Sequence, residues 1–124
     1  MASKKEIGDI GERAARSYIE GIGYNILDVN YRSKYGEIDI VAYDGTTLAF
    51  IEVKSRRSTR YGTPGEAVDW NKQKRMIKTA MAYLSQNRTF YSQLRFDVVE
   101  VIIKEKEIKQ VRLIKDAFQS VGRF

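Results

Sequence analysis

Gly36-Glu37-Ile38-Asp39-Ile40-Val41-Ala42-Tyr43-Asp44-Gly45-Thr46-Thr47-Leu48-Ala49-Phe50-Ile51-Glu52-Val53-Lys54 is the stretch whose reading decides the fold. It reads as two strands, about Glu37 to Tyr43 and Thr46 to Lys54, joined through a tight turn at Asp44-Gly45. Both are rich in Ile, Val and Phe and apolar on both faces, as strands in the middle of a sheet are. Side chains alternate along a strand, so Glu37 and Asp39 are expected to share one face, and Glu52 and Lys54 another. Pairing through the turn then brings three carboxylates and one ammonium towards a common spot. Carboxylates among apolar strands need a partner charge or a metal to offset their desolvation.

Outward from this pair the chain keeps a regular rhythm. A helix is expected from about Glu6 to Gly21, because Ile7, Ile10, Ala14, Ala15, Tyr18, Ile19 and Ile22 fall on one arc of a helical wheel. Glu12 lies at the edge of that arc, where it could lean over whatever the helix packs on. Spacing alone favours a surface pair with Arg16, four residues on. A strand from about Tyr24 to Asn30 follows. After Lys54, residues 55–65 read as a loop, with Tyr61-Gly62-Thr63-Pro64-Gly65 as its turn chemistry. A second helix is expected from about Glu66 to Asn87. Its apolar arc contains Trp70, Met76, Ile77, Ala80, Met81, Tyr83 and Leu84, and Lys72, Lys74, Arg75 and Lys78 lie opposite. Trp70 is thereby expected in the core, with stacking on a nucleic-acid base as the alternative. Two further strands, near Leu94 to Ile103 and Ile108 to Ile114, form a hairpin around Lys104-Glu105-Lys106-Glu107. The order α-β-β-β-α-β-β implies an α/β (α+β) domain, a mixed sheet flanked by helices, spanning residues 1–124 as one unit.

Absences narrow the chemistry. The 124 residues include no cysteine and no histidine. Disulfides, thiolate zinc sites, imidazole metal sites and Ser-His-Asp hydrolysis are all excluded. Acid–base work must rest on Asp, Glu, Lys or Tyr, and a metal must be taken by oxygen, which favours Mg²⁺ or Mn²⁺. No apolar run approaches the ~20 residues of a membrane span. Met1 to Glu6 lead into an amphipathic pattern with no signal-peptide core, so a cytoplasmic location is expected.

Charge is unevenly spread. The net charge is +6. Ten Lys or Arg lie between Lys54 and Arg95 against only Glu66 and Asp69, whereas the rest of the chain has twelve basic and fourteen acidic residues. A basic block of this kind fits a polyanion partner, through phosphate contacts by Arg32, Arg56, Arg57, Arg60, Lys72, Lys74 and Arg75. An ordinary solvated surface explains it as well.

In the acid cluster, Asp39 and Glu52 are the candidate ligands of a divalent ion, with the Val53 carbonyl as a third. Glu37 or Glu12 would complete the shell or hold a second ion. Lys54 is placed to orient a water and stabilise developing negative charge. Asp97, in Arg95-Phe96-Asp97-Val98-Val99, either approaches from a neighbouring strand or serves as a buried ion-pair residue.

Several motifs stand in fixed order: Gly8-x-x-Gly11-Glu12-x-x-Ala15, Gly23-Tyr24, Asn30-Tyr31-Arg32, Gly36-Glu37-Ile38-Asp39 and Ile51-Glu52-Val53-Lys54-x-Arg56. Gly62, Ala67, Lys72, Ala80, Tyr83, Leu84 and Arg95-Phe96-Asp97-Val98-Val99 continue the match over nearly the whole chain. In these the sequence resembles the YraN-type family of small bacterial proteins. That family looks like a branch of the restriction-endonuclease-like superfamily, similar in plan to archaeal Holliday-junction resolvases. The resemblance implies a Mg²⁺- or Mn²⁺-dependent nuclease core acting on DNA, structured or branched DNA included. In it Asp39, Glu52 and Lys54 match the Asp…Glu-x-Lys signature, and Glu12 matches the helical acid of the resolvase branch. Ile38 stands where a proline often precedes the Asp. The resolvase plan further implies two active sites and so a homodimer. The rival expectations are a non-catalytic nucleic-acid-binding protein that keeps the nuclease fold, and an adaptor whose basic surface meets an acidic protein.

Overall fold

The computed structural model describes residues 3–57 and 68–119. Its elements run α1 (Lys4–Gly21), β1 (Asn25–Ser33), β2 (Gly36–Asp44), β3 (Thr47–Arg56), α2 (Trp70–Gln86), β4 (Gln93–Lys104) and β5 (Glu107–Phe118). This is the expected order, with β3 running two residues past Lys54 and β5 four residues past Ile114.

Helix α1 starts where local chemistry sets it. Ser3 accepts from the Glu6 amide while the Glu6 side chain accepts from the Ser3 amide, a reciprocal capping box. Helix α2 starts later than the apolar pattern suggested. Asp69 caps it by accepting from the Lys72 amide at 2.8 Å, so Trp70 is its first residue. A first-turn side chain is not bound to the packing arc, and Trp70 is 60% exposed. The expectation of a core tryptophan is corrected.

The five strands lie in the order β1-β2-β3-β4-β5. All neighbours are antiparallel except β3 and β4, which run parallel because α2 crosses between them. The β2–β3 hairpin closes on Asp44↔Thr47 with Gly45 at φ 62°, the positive value that primed two-residue turns demand. The β4–β5 hairpin turns on Glu105 and Lys106, both at positive φ without being glycine.

Each face of the sheet carries a helix. Leu48, Phe50, Phe96 and Val98 pack under Met76, Ile77, Ala80 and Tyr83 of α2. Ala42, Ala49, Ile51, Val99, Val101 and Ile103 pack with Ala15 and Ile19 of α1. Alternation fails within β2. Ile38 belongs to the α2-side core and Ile40 to the α1-side core, although regular strand residues two apart share a face. The break is centred on Asp39.

Candidate metal centre and nucleic-acid interface

The site forms where β2 and β3 stop pairing. Their register runs from Asp44↔Thr47 to Ile40↔Ile51 and goes no further. Beyond it, Asp39 Oδ2 accepts from the Val53 amide at 2.8 Å. The carboxylate thus replaces a strand carbonyl and props the gap open. Glu52 enters from the α2 side and adjoins Asp39. Lys72, in the first turn of α2, sets its Nζ 2.7 Å from Glu52 Oε2.

From the opposite face, α1 brings Glu12. The approach is close because Gly11 has no side chain: a Cβ there would fall 1.8 Å from Ser55 Oγ. Glu12 Oε1 is buried and has no hydrogen-bond partner, and among the described residues no ion pair joins Glu12 to Arg16. The surface-pair expectation is corrected: α1 carries this acid inward. A buried carboxylate oxygen without a partner is costly unless a cation or proton meets it.

Electrostatics tie the three acids together. Burial, then the adjoining Glu52 carboxyl, and lastly Glu12 push the Asp39 carboxyl far above its ordinary range, against the opposing pull of the Val53 amide. Two carboxylates so placed cannot both ionise without a counter-charge. Burial alone would lower the Lys72 ammonium, but Glu52 and Asp39 outweigh it and hold it raised.

A cleft of about 740 Å³ opens beside Asp39 and Glu12, its rim carrying Lys4, Lys5, Lys54 and Arg57. The lysine touching the carboxylate pair is therefore Lys72, from the helix, and Lys54 stands exposed at the cleft.

The remaining candidates separate clearly. Glu37 pairs with Arg32 across β1 and β2 at 3.2 Å and does not line the cleft, so it leaves the expected ligand set. Arg56 is drawn inward by Glu100, with Nε 3.0 Å from Oε2 of a carboxylate that is fully buried. It is therefore held by the protein, and the expectation of a free phosphate contact is corrected. Arg57, Lys74 and Arg75 are exposed as expected, and Arg60 lies outside the described residues. Asp97 is structural. It accepts from Tyr24, twice from Arg95 and from the Asp116 amide, and is fully buried.

Two contributors escaped the sequence reading. The helical pattern points Lys72 at phosphate, and only tertiary packing shows that the α2 first turn faces Glu52. Glu100 does leave a signal, since with Asp97 it is one of two acids within the buried run Phe96 to Ile103 of β4.

The donor set suits a hard divalent ion of the Mg²⁺ kind, which needs one or two carboxylates and keeps several waters. Among the described residues no three Asp or Glu side chains gather closely enough to hold an ion by side chains alone. An all-protein cage of the calcium type therefore does not fit, whereas the adjoining Asp39 and Glu52, with the unpartnered Glu12 oxygen nearby, do fit the hydrated ion. No helix among the described residues is long and apolar enough to cross a membrane.

Residues 11–101 match the uncharacterised protein family UPF0102. A UPF0102 protein of Alkaliphilus metalliredigens is 47% identical over 92% of this chain and 98% of its own. Relatives under the same name from Syntrophus aciditrophicus, at 47% over 96% of this chain and 93% of theirs, and Rhodococcus opacus, at 42% over 95% and 100%, are similar to nearly the same extent.

Proposed function

The chain belongs to the uncharacterised protein family UPF0102, and from that premise we propose that it is a Mg²⁺- or Mn²⁺-dependent endonuclease acting on DNA, structured or branched DNA included. The observation that carries this reading is Asp39, which adjoins Glu52 on one side and on the other lines, with Glu12 and its buried, unpartnered oxygen, a cleft with a cationic rim. Asp39 and Glu52 would hold the ion, with the Val53 carbonyl as a third donor. Once bound, the ion supplies polarisation of the scissile phosphate and a more acidic water.

The chain's own residues do the rest. Lys4, Lys5, Lys54 and Arg57 draw a phosphate to the cleft mouth. Lys54 orients the attacking water and stabilises the charge that grows on the phosphate. Glu12, half-buried beside Asp39, accepts the proton that the water gives up. A cytoplasmic location and a symmetric dimer belong to the same reading.

A second reading, a nucleic-acid-binding protein without cleavage, draws on the Lys72–Glu52 contact. An ammonium already neutralising Glu52 weakens the demand for a metal. The deciding experiment incubates the protein with supercoiled, single-stranded and four-way-junction DNA in Mg²⁺, Mn²⁺ or EDTA, with Asp39→Ala and Lys54→Ala as controls. Nicking that needs the ion and both side chains supports the nuclease. Binding with a steep salt slope and no cut products leaves the second reading.

A further inference from the structure

Helix α2 carries Lys72, Lys74, Arg75 and Lys78 and no acid along its whole length. Its exposed side is not merely charged. Trp70 is 60% exposed, and Lys74 Nζ sits 5.3 Å from its ring centroid. Two turns on, Lys78 Nζ lies 5.9 Å from the ring of Tyr35, which Lys34 also approaches at 5.2 Å. Tyr35 comes from the β1–β2 turn and is 40% exposed. That turn meets α2 closely, since a Cβ on Gly36 would touch Arg75 and Thr79 at 3.5 Å.

Residues 70, 74 and 78 stand four apart and so form one row on the helix. At 1.5 Å per residue the row spans about 12 Å. It reads aromatic, cation, cation, aromatic. Its Trp70 end is two residues from Lys72, whose ammonium touches Glu52.

We propose that the row Trp70–Lys74–Lys78–Tyr35 is a stacking platform for unpaired nucleotides, feeding a single-stranded segment to the Asp39–Glu52 site. This deepens the nuclease reading by naming its substrate class. Charge alone would suit any polyanion, but an exposed indole with the Lys74 ammonium beside it offers something more selective. A base can stack on it only if its own face is free, and duplex pairing hides that face against its neighbours. The lysines meanwhile hold the phosphates on either side. Acidic protein segments would satisfy the lysines and leave the ring faces without a partner.

Because Trp70 is the chain's single tryptophan, its fluorescence reports this surface alone. The wild-type protein is titrated in EDTA, where cleavage cannot interfere, with an oligothymidylate, a blunt duplex of equal length, an abasic sugar-phosphate oligomer and polyglutamate. The expected result is saturable quenching by the oligothymidylate and little by the other three. Trp70→Ala, followed by anisotropy of a labelled strand, should weaken single-strand binding about 5- to 150-fold, and Trp70→Phe should restore most of it. Melting temperature checks that both variants fold. Equal quenching by the duplex or the abasic oligomer, equal quenching by polyglutamate, or unchanged binding by Trp70→Ala would overturn the platform. Cleavage is scored separately. Stacking without any cut in Mn²⁺ removes the nuclease reading and keeps the platform, while cutting without stacking does the reverse.

Discussion

The Val53 amide donates to Asp39 Oδ2 at 2.8 Å, at the point where β2 and β3 cease to pair. A side chain thereby does the work of a backbone carbonyl, and the strand end stays open instead of zipping shut. The same contact fixes one carboxylate oxygen and leaves the other oxygen for Glu52 or an ion. The fold and the acidic centre are thus joined in a single residue, so its substitutions report on both.

The Asp39 carboxyl gives the first prediction. Its folded value is raised above its unfolded one, from 3.8 to about 9, chiefly by burial and then by Glu52. A folded state that holds the proton more tightly is favoured at low pH, and that contribution is lost as pH rises through this window. Ion-free protein should therefore melt lower at pH 8 than at pH 5. Asn keeps an acceptor for the Val53 amide and carries no charge, so Asp39→Asn should flatten the slope. At pH 8 it should stabilise the apo chain by on the order of 2 kcal/mol. Thermal melts in EDTA check this, and added Mn²⁺ should raise the wild-type melting temperature but not that of the variant.

Lys72 competes with any cation for Glu52, which makes its removal informative in the opposite sense from most active-site changes. Lys72→Met retains the helix and most of the apolar stem while removing the ammonium 2.7 Å from Glu52. Affinity for Mn²⁺, measured by calorimetry, should rise about 5- to 10-fold, the size of a modest charge-pair interaction. Unchanged affinity would mean that Lys72 and the ion occupy different sides of the carboxylate.

The central strands were legible in sequence because Ile38 to Ala42 and Leu48 to Val53 are apolar on both faces and Asp44-Gly45 marks their turn. Site residues were legible only as far as local rules reach. Glu37 is taken up by Arg32 across β1 and β2, a contact that depends on how the two strands register and is written in neither alone. The end of β5 was hidden for a related reason. Asp116 takes φ 56° where the β4–β5 register shifts, and its amide turns in to Asp97. Trp70 fits the apolar arc of α2 on the wheel, but as the first residue after the Asp69 cap it is free of the packing that holds the later turns. Lys72 and Glu52 are twenty residues apart in sequence, and nothing local states that they meet.

Gly11 tests how α1 delivers Glu12. Alanine would normally favour a helix interior by about 1 kcal/mol. Here its Cβ would fall 1.8 Å from Ser55 Oγ and 3.0 Å from Ser55 Cβ, so the Ser55 hydroxyl must swing away or α1 must move off β3. Gly11→Ala is expected to cost about 1–3 kcal/mol as overpacking and to lower Mn²⁺ affinity by withdrawing Glu12. Removing the obstructing oxygen with Ser55→Ala should recover part of both losses. Loss of stability without any rescue would place the strain elsewhere.

Asp97 separates structure from chemistry at the other end of the sheet. It is fully buried and receives two bonds from Arg95, at 2.8 and 2.9 Å, one from Tyr24 at 3.0 Å and one from the Asp116 amide at 2.9 Å. Arg95 also reaches Asp44 at 2.9 Å, which ties the β2–β3 turn to β4. Asp97→Ala leaves the Arg95 guanidinium half-compensated in a buried setting, a change that costs about 3–5 kcal/mol in comparable pairs. Urea melts should show that loss, with little dependence on salt because the pair is screened from solvent. Mn²⁺ affinity per folded molecule should stay at the wild-type value. If the ion binds more weakly to folded Asp97→Ala, the residue belongs to the metal centre after all, and the division between a structural end and an acidic end of the sheet fails.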